Sequence, residues 1–241
     1  MTDGPGYHNR QGPICSKIRS LLIALTNEQS KYDEIAPKIE YWIEYVLREH
    51  FVTVDELVRG VSGVGWGGGG SYASVARFFK EFYDAPHRSE QARSFVAQLC
   101  PYVLRWFAIA SAEDIWPHFR PSISGNGAPG FISAASFVGH LIDRGLLSHE
   151  LVRRHLTKSL TNHHDNDDRT NSPGAIRARA IYELFTAAGN TLLRGFLDPD
   201  DIQACFDILY TWSQRKVKFD VAKLKVWDMA YDGASRFGLT Y

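Results

Sequence analysis

Apolar residues recur at helical spacing from the first third of the chain onward. In the first such segment they occupy positions i, i+3, i+4 and i+7, namely Ile18, Leu21, Leu22 and Leu25. This stripe predicts an amphipathic helix that ends near Asn27. A second stripe keeps the same period from Tyr32 to Leu47, and Pro37 fits it only in a first turn, where a missing N–H costs nothing. The second helix is therefore predicted to begin near Glu34.

Capping signals and glycines divide the rest of the chain into further helices. Thr53 followed by Glu56 forms a capping-box pattern that opens a short helix through Val61. Gly145 is the C-cap of a helix over 131–144, and Ser148 caps the next helix. The same reasoning predicts a helix that begins at Pro199 and further helices over 72–83, 89–107, 175–188 and 220–237. Pro101 is expected to cause a kink or a break in the helix over 89–107. Loops are predicted at 63–70, 116–130 and 162–172.

No stretch shows the alternation of polar and β-branched residues that a strand requires. The predicted fold is therefore all-α, with about ten helices whose short turns favour antiparallel pairs. Stacked pairs would form an α-solenoid, although no residue pattern repeats at a fixed period. The first dozen residues are rich in Gly, Pro and polar side chains, so we expect a flexible N-terminal arm over 1–13 and a single domain over 14–241.

Composition narrows the classes of protein to which the chain can belong. It has 241 residues, 44% hydrophobic and 22% charged, which is typical of a globular domain and excludes intrinsic disorder. Because 27 Lys and Arg balance 27 Asp and Glu, bulk charge cannot hold nucleic acid. Three widely spaced cysteines form neither a disulfide framework nor a zinc motif. With no signal peptide and no apolar run long enough for a membrane, we expect the cytoplasm, or alternatively the nucleus.

Three segments carry residue types that are found in active sites, and each fails a closer test. Residues 63–68 match G-x-G-x-x-G but follow no strand, and 163–168 lack the glycine and glutamate of a calcium loop. The stretch Gly69 to Ala73 lacks the second glycine of a nucleophile elbow. We therefore predict no enzyme: no catalytic residue, no metal, no cofactor and no small-molecule substrate.

The C-terminal segment is locally basic in an otherwise neutral chain. Its candidate RNA-binding residues are Arg215, Lys216, Lys218, Lys223 and Lys225. Aromatic residues such as Phe219 and Trp227 alternate with them, a mixture that suits phosphate contact with base stacking on single-stranded RNA. The alternative is a solvated face on an amphipathic terminal helix whose aromatic side chains point into the core.

Three stretches together resemble a known family. They are 18–28 (IRSLLIALTNE), 137–148 (FVGHLIDRGLLS) and 180–189 (AIYELFTAAG). In order and spacing they are similar to the middle domain of eukaryotic translation initiation factor 4 gamma. The resemblance implies a stack of about five antiparallel HEAT-like helix pairs. It also implies a non-catalytic scaffold of mRNA metabolism that docks a DEAD-box RNA helicase, typically initiation factor 4A, and often contacts RNA. His140, where the family commonly has an acidic residue, and the glycine-rich insertion at 63–70 are departures from it.

Within the resembling segments, four polar residues lie at predicted helix ends: Asn27, Glu28, Asp143 and Arg144. Exposed loop residues on a rigid scaffold are where binding concentrates, so these four are the candidate helicase contacts. The alternative function is a generic α-solenoid for protein–protein interaction that is unrelated to RNA.

Overall fold

The computed structural model describes residues 8–66, 71–112, 127–161, 173–193 and 197–214. In these ranges the regular structure consists of α-helices and two 3-10 turns, Gln29–Lys31 and Ser62–Trp66, and there is no strand. The all-α prediction is therefore confirmed. The helices are α1 (His8–Asn27), α2 (Tyr32–Arg48), α3 (Val54–Val61), α4 (Ala73–Asp84), α5 (Glu90–Ala112), α6 (Gly127–Asp143), α7 (His149–Thr161), α8 (Pro173–Ala188), α9 (Asn190–Leu193) and α10 (Pro199–Gln214).

Four of the predicted boundaries match caps in the structure. Thr53 and Glu56 form the reciprocal capping box at the start of α3. Gly145 has φ +68°, and the N–H of Leu146 donates to the carbonyl of Leu141 at 2.9 Å, which closes the C-terminus of α6. The hydroxyl of Ser148 accepts from the N–H of Leu151 at 3.4 Å, just before α7. Helix α10 begins at Pro199 as predicted.

Proline misled the prediction at three helices. Helix α1 begins at His8, inside the stretch expected to be an irregular arm, and includes Pro13. Helix α2 begins at Tyr32 and not near Glu34, so Pro37 lies in its second turn. Helix α5 continues through Pro101 without a break. In α2 and α5, buried apolar residues flank the proline, and their burial outweighs the one backbone hydrogen bond that each proline removes.

Packing follows a regular order along the chain. Odd-numbered helices contact one another in series, α1 with α3, α3 with α5 and α5 with α7, and even-numbered helices do the same from α2 to α8. Helix α10 packs against both α7 and α8. One hydrophobic core runs from Cys15 of α1 to Leu209 of α10. At its centre, the ring of Phe137 lies 5.1 Å from that of Tyr72 and 6.4 Å from that of Phe79.

Helices α6 and α8 make the most extensive contact among the described elements. Gly139 lies at the point of closest approach, where an added Cβ would be 2.6 Å from the carbonyl oxygen of Leu184 and 2.7 Å from Cβ of Ala187. Small residues at a helix crossing allow such close backbone approach. Gly139 is therefore a packing residue at the contact between α6 and α8.

Candidate functional site

The four candidate helicase contacts are exposed residues at two helix ends. Asn27 is the last residue of α1, and Glu28 follows it and pairs with Lys31 at 2.5 Å. Asp143 is the last residue of α6, and Arg144 follows it. All four side chains are exposed, as the sequence predicted.

Glu81 of α4 lies between these two helix ends. The hydroxyl of Tyr32, at the start of α2, donates to Oε2 of Glu81 at 2.6 Å, and Nε of Arg77 donates to Oε1 at 2.7 Å. The guanidinium of Arg77 also lies 4.1 Å from the centre of the Tyr32 ring. Arg144 is close enough for its charge to act on Glu81. Tyr32, Arg77 and Glu81 are thus in direct contact, and Arg144 at the end of α6 acts on Glu81 through its charge.

The electrostatics of Glu81 favour its ionised form. Burial acts to raise the pKa of Glu81, but the hydrogen bonds from Tyr32 and Arg77 and the charges of Arg77 and Arg144 outweigh it. The pKa of Glu81 is therefore below its ordinary value. Burial and the hydrogen bond to Glu81 raise the pKa of Tyr32, so this hydroxyl stays a proton donor.

We name six residues the charged strip: Glu28, Lys31, Arg77, Glu81, Asp143 and Arg144. Three are acidic and three are basic, and all six side chains are between 42% and 57% exposed. Exposed ion pairs of this kind contribute little to stability, so they can exchange partners with an incoming surface at low cost. At the far end, the hydroxyl of Thr191 donates to Oδ1 of Asp143 at 3.4 Å.

His140 lies one turn before the end of α6, beneath the strip. Its carbonyl accepts the N–H of Arg144 at 3.1 Å. Burial lowers the pKa of its imidazole, and the charge of Arg144 lowers it further while that of Asp143 opposes the change. The imidazole of His140 is consequently neutral at pH 7.

Sequence reasoning missed Tyr32, Arg77 and Glu81 as members of this region. Arg77 and Glu81 have the i, i+4 spacing of a helical ion pair, which is the one signal that the sequence offered. Their position between two distant helix ends depends on how α4 packs, and spacing does not encode that.

Other candidate segments lie outside the described residues. Arg215, Lys216, Lys218, Lys223 and Lys225 are among them, as is the acidic and histidine-containing stretch 163–168. Across the described ranges, no group of three or more His, Cys, Asp or Glu is arranged to hold a metal ion. All three cysteines are free and buried, and burial raises the pKa of Cys100 and of Cys205 to about 12, so these thiols stay protonated.

The described helices include none that is both long enough and apolar enough to span a bilayer. Compared with protein-family models, curated proteins and solved structures, the chain gives no significant match. The described part of the chain is all-α, and it exposes a charged strip that follows the α1–α2 turn, α4 and the end of α6.

Proposed function

We propose that the chain is a non-catalytic scaffold of mRNA metabolism, similar to those of translation initiation, and that it docks a DEAD-box RNA helicase on the charged strip. One observation carries the proposal. Glu81 lies between the two helix ends that contain the candidate contacts: it accepts a hydrogen bond from Tyr32 at the start of α2, and the charge of Arg144 after α6 lowers its pKa. A single partner surface can therefore reach both ends.

The finer fold assignment belongs to the same proposal: a HEAT-like α-solenoid of about five antiparallel helix pairs. It is supported by two series of helix contacts, α1–α3–α5–α7 and α2–α4–α6–α8, and by contacts between the two series at α1–α2 and α5–α6. Stacked helix pairs produce such an order because each pair packs only against the pairs beside it.

The chemistry of the strip suits a protein partner that itself carries charges of both signs. A surface that mixes acidic and basic side chains selects a partner whose charges are complementary, and it accelerates the association with that partner. A protein with a different charge pattern meets like charges and is disfavoured. The strip follows the α1–α2 turn, α4 and the end of α6, and these elements pack on one hydrophobic core, so the backbone that carries the strip is held in place.

Reversing two charges of the strip is expected to weaken helicase binding without unfolding the protein. The variant combines Glu28→Lys with Arg144→Glu, which places like charges beside Lys31 and Asp143. We expect the affinity for an initiation factor 4A-type helicase to fall at least about tenfold, equivalent to about 1.4 kcal/mol. Surface titration of purified helicase on immobilised protein measures this loss, and the melting temperature should stay within a few degrees of wild type.

The matched control makes the same two exchanges in an exposed ion pair outside the strip. Glu150→Lys with Arg154→Glu reverses the pair on α7. It should bind helicase as wild type does. Equal binding by the strip variant and the control would reject the strip, and no helicase binding by wild type would favour a solenoid with a different partner.

RNA binding by the C-terminal basic residues is the second part of the proposal. Arg215, Lys216, Lys218, Lys223 and Lys225 supply five positive charges among aromatic residues. Single-stranded RNA should bind weakly, with an affinity that falls with salt at a slope near 0.7 per neutralised phosphate. Lys223→Ala with Lys225→Ala should reduce that slope by about one to two units in filter binding. The control Lys17→Ala with Lys80→Ala should leave the slope unchanged, and no RNA binding at physiological salt would remove RNA from the proposal.

A further inference from the structure

Helix α2 has a second stripe on the face opposite its buried one. We name it the α2 stripe, and its residues are Glu34, Pro37, Lys38, Tyr41, Glu44, Tyr45 and Arg48. The spacing of three and four residues puts all seven on one side of the helix. Each is exposed or half-buried, whereas Ile35, Ile39 and Ile43 on the opposite side are buried. Among the described residues, no other helix covers Tyr41 at the middle of the stripe, whereas Tyr45 contacts Phe51 and Glu44 contacts Ser89 at its C-terminal half.

Tyr41 and Tyr45 form the middle of the α2 stripe, and we name this pair of rings the aromatic ledge. Tyr41 is 59% exposed, more than any other large hydrophobic side chain in the described ranges. Its ring stacks on that of Tyr45, with centres 5.8 Å apart and planes 8° from parallel, and it meets the edge of Trp42 at 5.6 Å. Tyr45 in turn packs on Phe51 at 5.5 Å. These contacts already restrict the rings, so covering them costs little side-chain entropy.

A groove of about 280 Å³ runs beside this ledge, bounded by the turn between α4 and α5. Arg88 from that turn forms one wall, where it pairs with Glu40 and lies 4.7 Å from the centre of the Phe82 ring. Its side chain is only 10% exposed, and its Nε has no hydrogen-bond partner within the part of the chain that the structure describes. The hydroxyl of Ser89 donates to Glu44 at 2.8 Å, which fixes the same wall. Contacts with Glu40, Phe82 and Glu44 thus hold this wall of the groove against α2 and α4.

The charges of the α2 stripe are self-complementary about Tyr41. If two copies of α2 lie antiparallel with Tyr41 at the two-fold axis, residues at equal distances from Tyr41 face each other. Glu34 then faces Arg48, and Lys38 faces Glu44. A parallel arrangement would instead set every charge against its own copy and be repulsive.

We propose that the α2 stripe is a homodimer interface in which two chains pack α2 antiparallel across Tyr41. The aromatic ledge supplies the surface that is buried in the dimer. The facing charges set the orientation and the register of the two α2 helices. Because the formal net charge of the chain is zero, no long-range repulsion opposes the association of two copies. A contact along 15 helical residues is only about 21 Å long. It therefore buries less than the ~1,200 Å² of a standard stable interface, so the dimer is weak and concentration-dependent.

Sedimentation velocity of the full chain from about 1 µM to about 1 mM tests the dimer across the range of weak affinities. The average mass of wild type should rise from 27.2 kDa toward twice that value. In the dimer, residue 38 of each chain faces residue 44 of the other, so this contact occurs twice. Lys38→Glu alone or Glu44→Lys alone therefore places like charges opposite one another at both contacts. Each variant alone should stay monomeric where wild type associates.

Mixing the two single variants is the decisive experiment. Only in a mixed pair does the introduced glutamate face the introduced lysine while the native Lys and Glu face each other. An equimolar mixture should therefore regain a one-to-one dimer. A parallel interface, or one elsewhere on the molecule, would give no such rescue, and a mixture that stays monomeric overturns the proposal.

Two further variants separate interface effects from folding. Tyr41→Ala should abolish association, whereas Tyr83→Ala, which truncates a 41% exposed tyrosine on α4, should leave it intact. The melting temperature of Glu44→Lys checks that loss of the Ser89 hydrogen bond has not unfolded the chain. A wild type that remains at 27.2 kDa throughout, or a Tyr41→Ala protein that associates like wild type, contradicts the dimer.

Discussion

Replacing Leu141 with alanine is expected to lower the free energy of unfolding by about 2–5 kcal/mol. Leu141 has no exposed surface and lies in the core on α6. Removing three of its carbon atoms forfeits their burial and leaves a cavity that the surrounding helices fill only in part. Urea unfolding followed by circular dichroism measures the change.

The matched control removes the same number of atoms from an exposed aliphatic residue. Ile109 on α5 is 43% exposed, and Ile109→Ala should cost less than about 1 kcal/mol. A loss below about 1 kcal/mol for Leu141→Ala as well would mean that α6 does not bury this face in solution.

Replacing Gly139 with alanine is the second large effect. The new Cβ would lie 2.6 Å from the carbonyl oxygen of Leu184, 2.7 Å from Cβ of Ala187 and 3.0 Å from the amide nitrogen of Ala188. Two of these are backbone atoms of α8, so relief requires the two helices to move apart. We expect a destabilisation of about 1–3 kcal/mol. This outweighs the gain of up to about 1 kcal/mol that alanine offers over glycine inside a helix.

Gly63 provides the same substitution with only ordinary contacts. It lies in the 3-10 turn Ser62–Trp66, where an added Cβ would be 3.7 Å from Nη1 and 3.9 Å from Cδ of Arg19. Gly63→Ala should therefore change the free energy of unfolding by less than about 0.5 kcal/mol. A Gly139→Ala protein that is as stable as wild type, or more stable, would contradict the close packing of α6 on α8.

Capping signals predicted helix boundaries well, whereas prolines within the helical pattern predicted them poorly. The capping box at Thr53 and the positive φ at Gly145 follow from contacts within a few residues, which sequence spacing encodes. Helix α2 instead begins at Tyr32, before the position that Pro37 indicated. Tyr32 is buried and bonded to Glu81, a residue 49 positions away, so tertiary contacts extend the helix.

The candidate site was predictable in part for a related reason. Asn27, Glu28, Asp143 and Arg144 could be assigned to exposed helix ends, because caps and turns mark such ends. The role of Glu81 could not, since it arises only when α4 packs between α2 and α6. The exposure of Tyr41 and Tyr45 could not be predicted either. An exposed row of aromatic residues on a helix has the same 3.6-residue period as a buried row.

Hydrogen exchange during helicase binding tests the central claim most directly. Purified initiation factor 4A-type helicase is added to the full chain, and amide exchange is followed by mass spectrometry. Slower exchange is predicted in peptides covering 26–32, 77–84 and 140–147, the segments that contain the charged strip, with no change over 38–48 of the α2 stripe. Absence of saturable binding, or protection confined to segments outside the strip, would contradict the account.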